Sequence, residues 1–347
     1  MSTDVLRKHN DIPGAKKVFF VPICTGQLDL YNAFIANSFE LHSLNFDPSQ
    51  KKYIKENKST IGNVFLEACK KIKPDWVYFM LDAETLPLNV IKLAKEALPN
   101  TIFTNWTGDV REKPKQFVAE LGKVVDITLI VSTGQLDMYR NNGLKRVEFL
   151  QAGIDTEKFF RMSENDRKNI YDQLGHDIVF CANNSSHFPG ALLRGEVASR
   201  LSKLYSKRFG LYGGGWEHRN STRGSITYFV QNRVYNGSKI VISINNFNDV
   251  EMYFSARQLA AMGSGTLTIS AYVPGLERYF DNNHDLVWFK SADECMDLVQ
   301  YYLKHEDEAR QIGINGAKKI QEFHSRVEFI KRLATRLGFL EGDSYEF

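Results

Sequence analysis

Cysteine is scarce in this chain: Cys24, Cys69, Cys181 and Cys295 are spread over 347 positions. None stands in a CxxC pair or at zinc-ligand spacing. Each lies in or beside an apolar stretch, so buried reduced thiols are expected rather than disulfides, redox centres or metal ligands. Long hydrophobic runs are missing too. No segment approaches the roughly 18 to 20 apolar residues that span a bilayer, and the first fourteen residues lack the apolar centre of a secretion signal. A cytoplasmic protein with no membrane attachment is expected. The chain has no DxD pair, no His/Asp/Glu cluster at ligand spacing, no GxSxG, no Walker loop and no GxGxxG. Metal dependence, a hydrolase nucleophile elbow and a dinucleotide fingerprint are therefore not expected. Nor is charge of one sign in excess: the formal net charge of +3 neither announces a nucleic-acid binder nor excludes one.

What is present is an ordinary globular composition, 43% apolar, 24% charged and 12% aromatic, in a chain too long for one hydrophobic core. Short β-branched or aromatic runs alternate with helical stretches, the pattern of parallel sheets covered by helices. Strands are expected at 18–23, 76–81, 101–105, 127–132 and 147–150, then at 178–182, 208–212, 239–244, 266–270 and 286–289. The segment 156–176 is polar and without a strand, and a helical region over 292–340 closes the chain. Three segments are expected: an α/β domain over 1–158, a second over 159–325, and a last helix over 326–347 that crosses back to the first. Open α/β sheets bind ligands at the carboxyl ends of their strands, so the groove between two such domains is the place to look for a site.

The most informative stretch is SARQLAAMGSGTLTIS at 255–270, an amphipathic helix ending in a Gly-rich turn that feeds a buried strand. PGLERYF at 274–280, LVWFK at 286–290 and LVQYYL at 298–303 follow it. In this order the segments resemble the carboxyl-terminal half of the group-1 glycosyltransferases, in particular the CgeB-like, or spore-maturation-like, branch. The resemblance runs from about residue 178 to the end, and more weakly through NWTGDVR at 105–111 and FLQAGID at 149–155. It implies a GT-B fold, with two Rossmann-like domains facing across a cleft, the first for the acceptor and the second for a nucleotide-sugar donor. It also implies that a carboxylate on the helix before the Gly-rich turn holds the donor ribose. Here that position is Gln258, an uncharged amide, which leaves Asp249 or Glu251 as substitutes; Arg257 stands beside it.

Gly263, Ser264 and Gly265 would let the main chain approach the donor, since glycine has no Cβ and permits positive φ, although a plain helix-to-strand turn has the same composition. A leaving diphosphate needs cations or helix N-termini. Arg194, on the helix after the polar loop at 183–190, and Lys239 are the candidates, with surface ion pairing as the alternative for each. Replacing Arg194 by alanine is expected to abolish turnover with little loss of fold. The YGGGW run at 212–216 brings Gly214 and Trp216 to a strand end, where the tryptophan either flanks the base or packs in a tight turn; Tyr235 is weighed in the same way. In the first half, Gly26 follows a strand and resembles the glycine loop near the transferred sugar. Asp109 also follows a strand, placed either as a general base or as a helix cap, with His187 and Asp82 in reserve.

The expected activity is transfer of a hexosyl or pentosyl group from a UDP-sugar to an acceptor hydroxyl, without a metal, by a monomer or homodimer. Relatives in the resembling branch occur in phages, and basic clusters at Lys51, Lys52, Lys55 and Lys58, at Lys70, Lys71 and Lys73, and at Arg111, Lys113 and Lys115 fall in the first half. These tilt the acceptor towards 5-hydroxymethylcytosine in DNA, which would have to be flipped out of the stack. A surface glycan is the other acceptor. A non-catalytic nucleotide-sugar binder and a GT-B sugar epimerase are the rivals from other classes.

Overall fold

The computed structural model describes residues 6–22, 28–44, 56–216 and 221–342. The chain divides into two compact units, one made of the residues up to Gln151 together with those from Arg326 onward, the other of Ala152–Ser325.

The first unit carries strands β1 (Leu6–Lys8), β2 (Lys17–Val21), β3 (Glu40–Leu44), β4 (Trp76–Phe79), β5 (Ile102–Thr107), β6 (Ile127–Ile130) and β7 (Val147–Phe149). Helices α1 (Leu28–Ala36), α2 (Lys58–Ile72), α3 (Leu88–Ala97), α4 (Gln116–Gly122) and α5 (Leu136–Asn141) connect them. The sheet order is β1-β3-β2-β4-β5-β6-β7, parallel throughout except for the antiparallel edge pair β1 and β3. Strands buried on both faces read as continuous apolar runs. In β2, Phe19 and Val21 join Phe65 and Cys69 of α2 and Ile91 of α3 in one core, while Phe20 on the opposite face meets Tyr31, Phe34 and Tyr78.

The second unit has β8 (Ile178–Cys181), β9 (Phe209–Tyr212), β10 (Ile240–Ser243), β11 (Leu267–Ala271) and β12 (Val287–Phe289). Between and around them run α6 (Glu164–Leu174), α7 (Ala191–Tyr205), α8 (Tyr228–Asn236), α9 (Ala256–Gly263), α10 (Ala292–Tyr302) and α11 (Glu306–Phe323). All neighbours in the order β12-β11-β10-β8-β9 are parallel. Alternate residues Ile178, Phe180, Ile240, Ile242, Leu267 and Ile269 share a core with Val197 and Leu201 of α7 and Cys295 and Val299 of α10. From β8 the chain steps to β9 on one side and then crosses to β10 on the other, so the topological switch lies between β8 and β10.

The chain's last helix, α12 (Arg326–Arg336), belongs to the first unit and packs on α1. Phe329 meets Trp106 edge-on at 6.1 Å, and Phe339 beyond the helix stacks on Trp76 at 5.8 Å. Arg336 donates to the Phe149 carbonyl at 2.9 Å. No helix among the described residues is long and apolar enough to cross a membrane.

Candidate functional site

The loops that leave β8 and β10 flank the switch point of the second sheet, where open α/β sheets take their ligands. They are locked together. Gly190 donates its N–H to the Asn246 carbonyl at 2.8 Å, and a Cβ there would stand 2.2 Å from the Asn245 carbonyl oxygen, so only glycine lets the two main chains touch. One turn into α7, Arg194 is 2% exposed. Its Nε and Nη2 donate to the Ile244 carbonyl at 3.0 and 2.7 Å, and its Nη1 to the Asn183 carbonyl at 2.8 Å. The expectation that this guanidinium grips the donor phosphate is therefore corrected: it is turned inward and ties the ends of β10 and β8. Burial, then the nearby Arg257, lower its pKa to about 10, against a small opposing effect of Tyr253, so it stays charged at neutral pH.

Beside this clasp, at the carboxyl ends of β8 and β9, opens a cavity of about 200 Å³ whose lining includes Cys181, Asn183, Tyr212, Gly213, Gln231 and Arg257. Arg257, in the first turn of α9, has no hydrogen-bond or ion-pair partner among the described residues. Cys181 beneath it is held as a thiol, since burial pushes its pKa up to about 12 despite the Tyr235 hydroxyl and Arg257. Several buried polar atoms around the same pole lack partners among the described residues: Asn184 Oδ1, Asn245 Nδ2, Ser255 Oγ and Gln258 Nε2. Buried polar atoms are normally satisfied, so such a group marks a place for water or a ligand. Gln258 is fully buried and its Oε1 accepts from the Ser270 hydroxyl at 3.0 Å.

The aromatic candidates are not stacking platforms. Trp216 is 2% exposed, packs on Phe180 and donates its Nε1–H to the Ala182 carbonyl. Tyr235 is buried against Cys181, which drives its hydroxyl pKa up. The three glycines exist because β9 continues alongside the strand-end loop. A Cβ on Gly213 would sit 2.2 Å from the Ala182 oxygen and one on Gly215 2.1 Å from the Asn184 oxygen, whereas Gly214 has only Asn183 Oδ1 at 3.8 Å. Gly214 also exchanges hydrogen bonds with this loop: its N–H goes to Asn183 Oδ1, and its carbonyl accepts from Asn184.

A larger correction concerns the Gly-rich turn. Helix α9 starts at the carboxyl pole of the sheet and ends at the amino pole, so Gly263, Ser264 and Gly265 lie at the start of β11, a strand's length from the cavity. There a Cβ on Gly263 would stand 3.1 Å from the Phe159 carbonyl oxygen, Ser264 donates to the Ala261 carbonyl, and Gly265, with φ +70, lies under Arg161. Lys239, just before β10, is at that pole as well, pairing with Glu306 at 2.8 Å and Asp177 at 3.3 Å. These residues pack the bottom of the sheet rather than meeting a ligand at its top.

Glu251 lies on the β10–α9 loop and pairs with Arg278 at 3.0 Å; Asp249 nearby is exposed. His187 is exposed on the β8–α7 loop, 3.2 Å from the Ser185 hydroxyl. In the first unit, Asp82 follows β4 and accepts from Thr107 Oγ1 at 2.8 Å, Lys115 at 3.2 Å and Arg111 at 3.3 Å. Burial opposes its charge, but Thr107, Lys115 and Arg111 outweigh it and hold the carboxyl below its ordinary value. Asp109 is largely exposed and bound to Arg111 at 2.5 Å. Gly26 lies outside the described residues. Asp281, His284 and Asp285 approach within 4.8 Å of one another at the β11–β12 connection. Asp285 is already engaged by the Asp281 N–H and by His284, with Lys319 at 3.8 Å. Sequence reasoning overlooked Asn245 and gave Asn183 no role of its own; the repeated Asn-Asn after two apolar strands is the signal for both.

The family model described as glycosyl transferase-like matches residues 194–335, from Arg194 to the last turn of α12. The matched stretch is glycosyl transferase-like, as in an enzyme that transfers sugar, and the fold of the chain is GT-B. HepE of Anabaena, solved with UDP and glucose, is similar over 94% of this chain and 100% of its own, with 13% identity and a TM-score of 0.66. Sucrose-phosphate synthase of Thermosynechococcus elongatus is similar over 93% and 99%, with 12% identity and a TM-score of 0.63. The catalytic domain of starch synthase IV of Arabidopsis thaliana, bound to ADP and acarbose, covers the same shares with 13% identity and a TM-score of 0.64. No match was found among curated proteins. Within the matched stretch, Arg194, Arg257 and Gln258 share the carboxyl pole, while Gly263, Ser264 and Gly265 close the opposite one.

Proposed function

We propose that the protein transfers a sugar from a UDP-sugar held at the carboxyl pole of the second unit. One observation carries the reading: two neighbouring guanidiniums, Arg194 and Arg257, have no carboxylate partner among the described residues, and one of them lines an open polar cavity at the switch point. A buried cation without an anion is costly, and a pyrophosphate supplies the missing charge. As the glycosidic bond breaks, negative charge grows on the departing diphosphate. Arg257 meets it directly, while Arg194 adds its field and keeps both loops in place. The amides of Asn183, Gln231 and Asn245 are suited to the hydroxyls and ring edges of a nucleoside. HepE was solved with UDP, which agrees with this class of donor.

For the acceptor, which we assign to the first unit, the reading is a hydroxymethylated pyrimidine of DNA, with a surface glycan as the rival. It rests on the family resemblance and the basic clusters. Among their described members Lys71, Lys73 and Lys113 have no ion-pair partner, whereas Lys58, Lys70, Arg111 and Lys115 are paired with carboxylates. Asp82, tied to two cations, suits holding and orienting better than accepting a proton. A non-catalytic nucleotide-sugar binder remains the second reading because Gln258 offers an amide where the resembling family has a carboxylate. Incubation with UDP-sugars and hydroxymethylated DNA decides between them. A mass gain on the nucleoside supports the full proposal, and elongation of a glycan instead removes the DNA acceptor. UDP-sugar binding without transfer or hydrolysis leaves only the binding protein.

A further inference from the structure

The amino pole of the second sheet has a pocket of its own, of about 120 Å³, framed by the starts of β10 and β11, the first turns of α6 and α11, and the end of α10. Its ionised lining is Arg161, Arg167, Lys239 and Arg310 against Glu164 and Glu306, a surplus of two positive charges. Four of these six are mutually satisfied. Arg161 pairs with Glu164 and donates to the Gly265 carbonyl at 2.7 Å, and Lys239 pairs with Glu306. The other two are not. Arg167 donates to Asn236 Oδ1 at 2.7 Å, the Ser264 carbonyl at 3.1 Å and Thr266 Oγ1 at 3.1 Å, all uncharged. Among the described residues Arg310 pairs only with Asp307, at 3.7 Å, both side chains being exposed. Burial, then the neighbouring Arg161, with Arg310 a smaller contributor, outweigh Glu164 and lower the Arg167 pKa to about 10.

The geometry points to a second anion site here, which takes a phosphoryl group, either free inorganic phosphate or the phosphate of a small phosphomonoester. Arg167 forms its floor, with a fixed guanidinium fork of the kind that matches phosphate oxygens, and Arg310 closes it from the rim. The site is distinct from the donor cavity: the strands of the sheet, four or five residues at about 3.3 Å each, separate the two poles by about 15 Å. It joins the first turns of α6 and α11 to the sheet edge, so its occupant would brace the second unit from below. Nothing in this inference depends on the donor proposed above.

The test is thermal unfolding of the whole chain, titrated with inorganic phosphate and separately with glucose 6-phosphate, against sodium chloride at matched ionic strength. Saturating phosphate is expected to raise the midpoint by about 5 to 10 °C. Arg310→Glu, at an exposed side chain that leaves packing untouched, should weaken the effect at least tenfold in apparent affinity. Arg257→Ala, at the other pole, should keep it. A gain with phosphate alone identifies the free ion as the ligand, and a tighter response to the sugar phosphate identifies the ester. The proposal is overturned if neither compound exceeds the chloride control, or if Arg257→Ala abolishes the gain while Arg310→Glu retains it.

Discussion

Arg194 and Arg257 are neighbours at one strand end, yet their replacement by alanine should have opposite signatures. Removing Arg194 strips the Ile244 and Asn183 carbonyls of charged donors in a buried place. Each such bond contributes about 1.5 to 3 kcal/mol, so two acceptors amount to about 3 to 6 kcal/mol. Relief of the buried charge offsets part of this and favours the lower end. For a unit of this size each kcal/mol moves the midpoint by about 2 to 4 °C, which predicts a fall of roughly 6 to 12 °C. Arg257 makes no hydrogen bond or ion pair among the described residues, so Arg257→Ala should melt within about 2 °C of the parent. It should instead weaken UDP binding roughly 10- to 150-fold, the equivalent of one charge-assisted phosphate contact of about 1.5 to 3 kcal/mol. Differential scanning calorimetry and isothermal titration with UDP read both quantities. If Arg194→Ala melts like the parent while UDP binding vanishes, the inward-facing role assigned to it is wrong. If Arg257→Ala binds UDP normally, the donor pocket has been misplaced.

Gly213→Ala, which would press a Cβ to 2.2 Å from the Ala182 carbonyl at φ +129, should lower both the midpoint and UDP affinity. Gly214→Ala, with its nearest neighbour at 3.8 Å, should leave both near parental values; equal effects at the two positions would contradict the packing described. His9 and His176 have pKa values lowered from 6.5, chiefly by burial. The unfolded chain therefore binds more protons in acid, and their contribution to stability, full above about 6.5, is lost as pH falls. The midpoint should drop as pH falls below about 6.5, and His176→Gln should reduce that drop; an unchanged slope would exclude His176 as a source. With guanidiniums supplying the positive charge, UDP affinity should persist in a chelator within about twofold. A strict requirement for a divalent cation in calorimetric titration would show that the arginines do not suffice.

Ten of the twelve strands among the described residues were legible because each is a short apolar run between helical stretches. The other two were hidden for a physical reason. In β3, Glu40 and His42 are buried polar residues joined to each other at 2.8 Å, so the strand has no apolar signature, and β1 is a three-residue edge paired only to it. Glycines mislead for the opposite reason. Composition marked 263–265 as main chain open to approach and 212–216 as either a flank of the base or a tight turn, but Gly265 lies against Arg161, and what approaches Gly213 and Gly215 is the protein's own backbone.

By itself the sequence determined the class of fold, two parallel α/β units, because hydrophobic periodicity and strand length are local properties of the chain. It also specified the kinds of residue available for binding a diphosphate. Only the tertiary structure decided which end of the sheet each one occupies. A helix that begins at the carboxyl pole ends at the amino pole, so Arg257 and Gly265, eight positions apart, belong to opposite ends of the molecule's second sheet. It likewise decided that Arg194 points inward, since the carbonyls it satisfies come from residues 11 and 50 positions away.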